Sequence, residues 1–78
     1  DQSDSSNAGH PLRFSTTANG THAGYGASEY TTGVTVANGS SGPGSSGAYT
    51  EITVAVGAPT LHYYCTNHSG MGGQANTP

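Results

Sequence analysis

The segment Ala48-Tyr49-Thr50-Glu51-Ile52-Thr53-Val54-Ala55-Val56 alternates without a break. Ala48, Thr50, Ile52, Val54 and Val56 fall on one side, and Tyr49, Glu51 and Thr53 on the other. Successive side chains of a strand point to opposite faces, so this pattern predicts a strand with one face to bury against an opposing layer. Gly57-Ala58-Pro59 then breaks it, because proline has no N–H to give to a ladder. No stretch of useful length carries a helical period.

Three further segments share the alternation. Pro11 to Thr17 sets Leu12, Phe14 and Thr16 against Arg13 and Ser15. Tyr30 to Val36 turns Tyr30, Thr32, Val34 and Val36 inward, and Leu61 to Cys65, the last strand, puts Leu61, Tyr63 and Cys65 on one side. Between them, 17–28 reads as a long loop, and 38–47 as a Gly/Ser connection containing Pro43. Short strands separated by turns predict an all-β antiparallel sandwich forming a single domain over 1–78. A sandwich of this kind needs about seven strands. The expectation is therefore that the chain holds the C-terminal portion and that strands from outside 1–78 complete it.

Composition narrows the function classes. With 78 residues, few large aliphatics and a net charge of −3, the chain has little apolar surface to bury but no charge excess to keep it unfolded. Lysine is absent and Arg13 is the sole Arg, which excludes a basic face for nucleic acid or an anionic membrane. No apolar run approaches the roughly 20 residues of a membrane-spanning helix.

Cysteine and methionine each occur once, and both fall in Tyr63-Tyr64-Cys65-Thr66-Asn67-His68-Ser69-Gly70-Met71-Gly72-Gly73. A lone Cys rules out an internal disulfide. His10 stands upstream at the head of the Leu12/Phe14 strand. One thiolate, two imidazoles and one thioether are the donors of a blue-copper centre, with His2Cys in a plane and Met on a long axial bond. Cys65 would end a strand pointing inward, Gly70, Gly72 and Gly73 would permit a tight ligand loop, and Asn67 could brace it. Zinc fits less well, because thioether is a poor zinc ligand and no second Cys exists. A Cys-His nucleophile lacks an orienting carboxylate nearby. The plainer alternative is that Cys65 is a small buried hydrophobe and Met71 a surface residue. By alternation His62 points away from Cys65 toward solvent, and His22 lies in the long loop as an ordinary residue or a peripheral contact. Asn19, Asn38 and Asn67 each begin an Asn-x-Ser/Thr pattern that chance alone explains in such a composition.

Tyr-Tyr-Cys-Thr-Asn-His-Ser-Gly-Met resembles the ligand loop of the cupredoxins, with the Cys-x-x-His-x-x-Met spacing of the amicyanins. Gly9-His10-Pro11-Leu12 resembles the segment that carries the first histidine. More narrowly, the chain is similar over 1–76 to cupredoxin-like modules of marine bacterial and phage proteins, through Ser3-Asp4-Ser5-Ser6-Asn7 and Glu29-Tyr30-Thr31-Thr32-Gly33-Val34. The resemblance implies a Greek-key cupredoxin sandwich whose N-terminal hairpin precedes Asp1, and a copper (Cu+/Cu2+) site made of His10, Cys65, His68 and Met71. Pro11 departs from the Asn that follows the first histidine in many cupredoxins.

Two functions compete. One is a copper-binding electron-transfer module with a redox partner, its exit through the more exposed histidine, expected to be His68. The other is a structural module of an extracellular filament or phage virion, with neighbouring subunits as partners and metal optional. The near-uncharged, Lys-free surface favours a covered setting, outside the cell, in the periplasm or on a virion. An enzyme is disfavoured, because no acid/base pair is indicated.

Overall fold

The computed structural model describes residues 1–78. The protein is all-β: β1 (Leu12–Ser15), β2 (Val34–Asn38), β3 (Ala48–Ile52), β4 (Leu61–Cys65) and β5 (His68–Ala75), with short 3-10 turns at Ser5–Asn7 and Gly20–Ala23. Every pairing is antiparallel. One sheet runs β1-β4-β5 and the other is the β2-β3 hairpin. Thr50 of β3 donates its hydroxyl proton to the Leu12 carbonyl at 3.0 Å, linking the two sheets directly.

The strand Leu61–Cys65 has the bounds expected from its alternation. Its burial is less simple. Leu61 and Cys65 are buried as expected, but Tyr63 is 40% exposed while Tyr64, on the opposite face, is 1% exposed. The 3-10 turn at Gly20–Ala23 lies over that second face and covers Tyr64, so β4 is sandwiched on both sides. His62, on the same face as Tyr64, is half-buried rather than exposed. The expected last strand is not the last, because β5 follows it and forms an edge of the sheet.

The strand expected over 48–56 stops at Ile52. Its partner β2 begins at Val34, opposite Ile52, and the Thr53 N–H reaches the Gly33 carbonyl at 2.9 Å before the two segments part. Past that point no ladder continues, and Val54 and Val56 are exposed at 41% and 107%. Val36, expected inward, lies at the surface as well. Tyr30 joins the β1 side instead of β2, through an isolated bridge to Phe14.

The core is small: Ala48, Leu61, Tyr64 and Cys65 are its buried apolar members. Polar residues do part of the joining. Ser15 is fully buried, with its hydroxyl donating to the Ser28 carbonyl and accepting from the Thr17 N–H. Gln2 is 7% exposed and bonds both sheets: its backbone N–H donates to the Ala48 carbonyl, and its side chain to the segment entering β1. Arg13 pairs with Glu29 at 3.6 Å, so the single arginine is not presented as a free cation. Asp4 caps the turn at 5–7, and the Ser6 backbone N–H, aided by the Ser6 hydroxyl, holds its carboxyl below the usual aspartate value.

Gly20 is a tight joint in this arrangement. Its φ is +54°, and a Cβ there would overlap the face of the Tyr64 ring. Gly20→Ala should therefore lower stability by about 1–3 kcal/mol, the usual cost of overpacking. The expected readout is a lower urea midpoint with an unchanged slope; an unchanged midpoint would show that Tyr64 is not held against this turn.

Candidate metal centre

The hairpin between β4 and β5 explains the Cys-x-x-His spacing. Cys65 and His68 are directly opposite across a two-residue turn, Thr66-Asn67. Opposed residues of an antiparallel pair share a face, with Cβ atoms about 4.5–5.5 Å apart. The Cys65 sulfur and His68 Nδ1 are accordingly 3.2 Å apart. One position further the register breaks, because Tyr64 faces Gly72. Ser69, Gly70 and Met71 thus have no opposite number and bulge out, with Gly70 at φ +81° supplying the left-handed step.

The bulge brings Met71 back to the side of the cluster, where it lines an open recess with His10, Pro11, Tyr63 and Cys65. Gly72 and Gly73 have a different role from the one expected of them. Neither needs a positive φ; a Cβ at Gly72 would strike the Tyr63 carbonyl, and one at Gly73 would meet the Tyr63 ring.

His10 arrives through β1. Leu12 pairs with Cys65, and the contact extends past the strand, where the Thr66 N–H donates to the Pro11 carbonyl at 3.1 Å. Asn67 donates from Nδ2 to the Gly9 carbonyl at 3.0 Å. These two bonds tie the histidine segment to the hairpin turn on both sides of His10. His10 Nδ1 lies 3.6 Å from the Cys65 sulfur, and the two imidazole rings are 4.5 Å apart between centroids at 33°. The donor atoms of His10, Cys65 and His68 all fall within 4.8 Å of one another.

An ion about 2.0 Å from an imidazole nitrogen and about 2.3 Å from a thiolate sets N and S roughly 3.5–3.7 Å apart, for tetrahedral to trigonal angles. His10 Nδ1, at 3.6 Å from the sulfur, already stands at that distance, whereas His68 Nδ1, at 3.2 Å, would have to draw back slightly to share an ion. Both histidines turn Nδ1 to the sulfur, leaving each Nε2 directed elsewhere. Cys65 is buried, His10 half-buried and His68 exposed. Met71 is 47% exposed. The arrangement is a His-Cys-His group, with a methionine beside it, that could hold one metal ion.

Residues outside the ligand group hold it in place, and no sequence pattern marked Gln2 as one of them. The Gln2 side chain donates from Nε2 to the His10 carbonyl at 2.6 Å and accepts the Leu12 N–H at Oε1 at 3.1 Å. It thereby fixes the backbone on both sides of Pro11. His22 places Nε2 at 2.7 Å from the Cys65 carbonyl, so it supports the cysteine and is not a ligand in this arrangement. Of the three Asn-x-Ser/Thr asparagines, Asn19 and Asn67 have their amides committed to the loop.

Gln2→Ala should strand the His10 carbonyl and the Leu12 N–H in a part-buried position, at about 1–3 kcal/mol for each such group left without a substitute partner. Loss of an outer-shell partner typically lowers metal affinity by about 10–100-fold. Competition titration with Co2+ and a chelator should show a drop of that order, and equal affinity would mean that Gln2 does not position His10. No protein-family model, curated protein or solved structure matches the chain, and the centre is read from its own geometry.

Proposed function

We propose that this chain is a cupredoxin-like module that binds one copper ion through His10, Cys65, His68 and Met71 and serves in one-electron transfer. The observation that carries the reading is the convergence of two Nδ1 atoms on one buried cysteine sulfur, with the single methionine of the chain lining the same recess. Two imidazoles and a thiolate with a weak thioether select copper over zinc by softness and by geometry. Bound copper would supply a one-electron couple. The residues around it would do the rest: Cys65 keeps the sulfur out of water, the Asn67 and Gln2 bonds hold the ring-bearing backbones still, and exposed His68 offers the path to a redox partner. The proposed setting is extracellular, periplasmic or on a virion surface, and the proposed role is not enzymatic.

One equivalent of Cu2+ should produce an intense thiolate-to-copper charge-transfer band in the visible. The band should vanish in Cys65→Ser and be lost or strongly altered in His10→Ala. Replacing Met71 with Leu should move the reduction potential more than the affinity, since a thioether would be the weakest of the four donors. Addition of Cu2+ without any such band would sink the copper reading.

A second reading, a structural module in a filament or virion with metal optional, is favoured by one observation. Val36, Tyr49, Val54 and Val56 stand exposed on a surface without a single lysine. Such a surface lacks the charges that keep edges and patches apart. On this reading neighbouring subunits cover those residues. The purified protein should then self-associate near neutral pH, and Val54→Lys with Val56→Lys should restore a monomer by sedimentation. A monodisperse wild-type monomer at high concentration would count against it.

A further inference from the structure

Asn19 is the only non-glycine residue with a positive φ, at φ 65° and ψ 9°. Asparagine enters the left-handed region more readily than other non-glycine residues, so the conformation suits a turn. The side chain it carries reaches the metal loop, 50 residues away in sequence. Asn19 accepts the Gly70 N–H on Oδ1 at 2.7 Å and donates from Nδ2 to the Ser69 hydroxyl at 2.9 Å. Ser69 and Gly70 are the two bulged residues that separate His68 from Met71. The turn that Asn19 opens is itself anchored on β4, by Gly20 against the Tyr64 ring and by His22 on the Cys65 carbonyl.

We infer that Asn19 is a positioning residue for the metal loop, part of a bracket from Asn19 to His22 that grips the hairpin at Cys65 and at the bulge and so sets where Met71 stands relative to the His-Cys-His group. The inference rests on the proposed metal-binding role of that group. A bulge without ladder bonds to β4 would otherwise be free to move the thioether, and Met71 is too exposed for packing to hold it. The bracket supplies the missing bonds from a separate part of the chain. It also commits the Asn19 amide, so a glycan attached there would dismantle the grip.

Asn19→Gly separates the grip from the backbone, because glycine keeps the left-handed conformation at no cost while removing both side-chain bonds. Asn19→Asp is the conservative partner, retaining an acceptor for the Gly70 N–H. In the metal-free protein, Gly70 amide exchange should quicken about fivefold or more in Asn19→Gly, the factor expected for one lost hydrogen bond. It should stay near the wild-type rate in Asn19→Asp. In the copper-loaded protein, Asn19→Gly should retain the charge-transfer band but shift the reduction potential, with Asn19→Asp restoring most of the shift.

Unchanged Gly70 exchange in Asn19→Gly overturns the inference, as does a potential equal to that of the wild type. A wild-type protein that gives no thiolate band refutes the copper reading instead. The exchange experiment on the metal-free protein still decides whether Asn19 holds the loop.

Discussion

The structure turns on the last residue of β4. Cys65 is paired with Leu12 on one side and with His68 on the other, so a single position joins β1, β4 and β5 at one end of the sheet. Antiparallel pairing places the side chains of opposed residues on a common face. His68 is therefore delivered to the cysteine sulfur by the ladder itself, and His10 through Pro11, which precedes Leu12. Displacing β1 by one residue would turn its side chains to the other face and carry the approach of His10 with it. The site is a consequence of register more than of any separate binding loop.

A core this thin cannot enforce that register by apolar burial alone. Four apolar residues are buried, and each sheet is small. Hydrogen bonds from a few polar side chains take over part of the work. Gln2 links the end of β3 to the entry of β1, Thr50 reaches the Leu12 carbonyl, and Ser15 ties β1 to the long loop. Each such bond is modest in net stability but costly to leave broken in a buried place. They act as positional constraints, and they converge on the segment that carries His10. The same logic governs the other side of the hairpin, where Asn19 and His22 reach bulged backbone and the cysteine carbonyl.

The exposed valines show the limit of what local pattern can specify. Alternation over Ala48–Val56 encodes a face suited to burial, and Ala48, Thr50 and Ile52 are covered or half-covered as that pattern asks. Val54 and Val56 carry the same signal and are not covered: β2 begins only at Val34, opposite Ile52, and leaves them without a partner strand. A strand needs a neighbour as well as a pattern, and the neighbour is a property of the whole fold.

By itself, the sequence determined the all-β character, the strand Leu61–Cys65 and the face on which Cys65 lies, because period-two alternation is a local property. It also marked out His10, Cys65, His68 and Met71 as the candidate ligands, since Cys and Met are single and sit in one glycine-rich run. Asn67 was legible as a brace for its own loop, but its amide reaches the Gly9 carbonyl 58 residues away, a partner that proximity in the chain does not mark. Only the tertiary structure decided that β5 is a strand, since a segment of Gly and Ser carries no alternation and becomes extended by pairing with β4. It alone buried Tyr64, by laying a turn from 41–44 residues earlier across it. It alone recruited Gln2, Asn19 and His22 to the centre. Their side chains act through one or two hydrogen bonds each across the fold, and a bond between distant residues leaves no period or spacing in the chain.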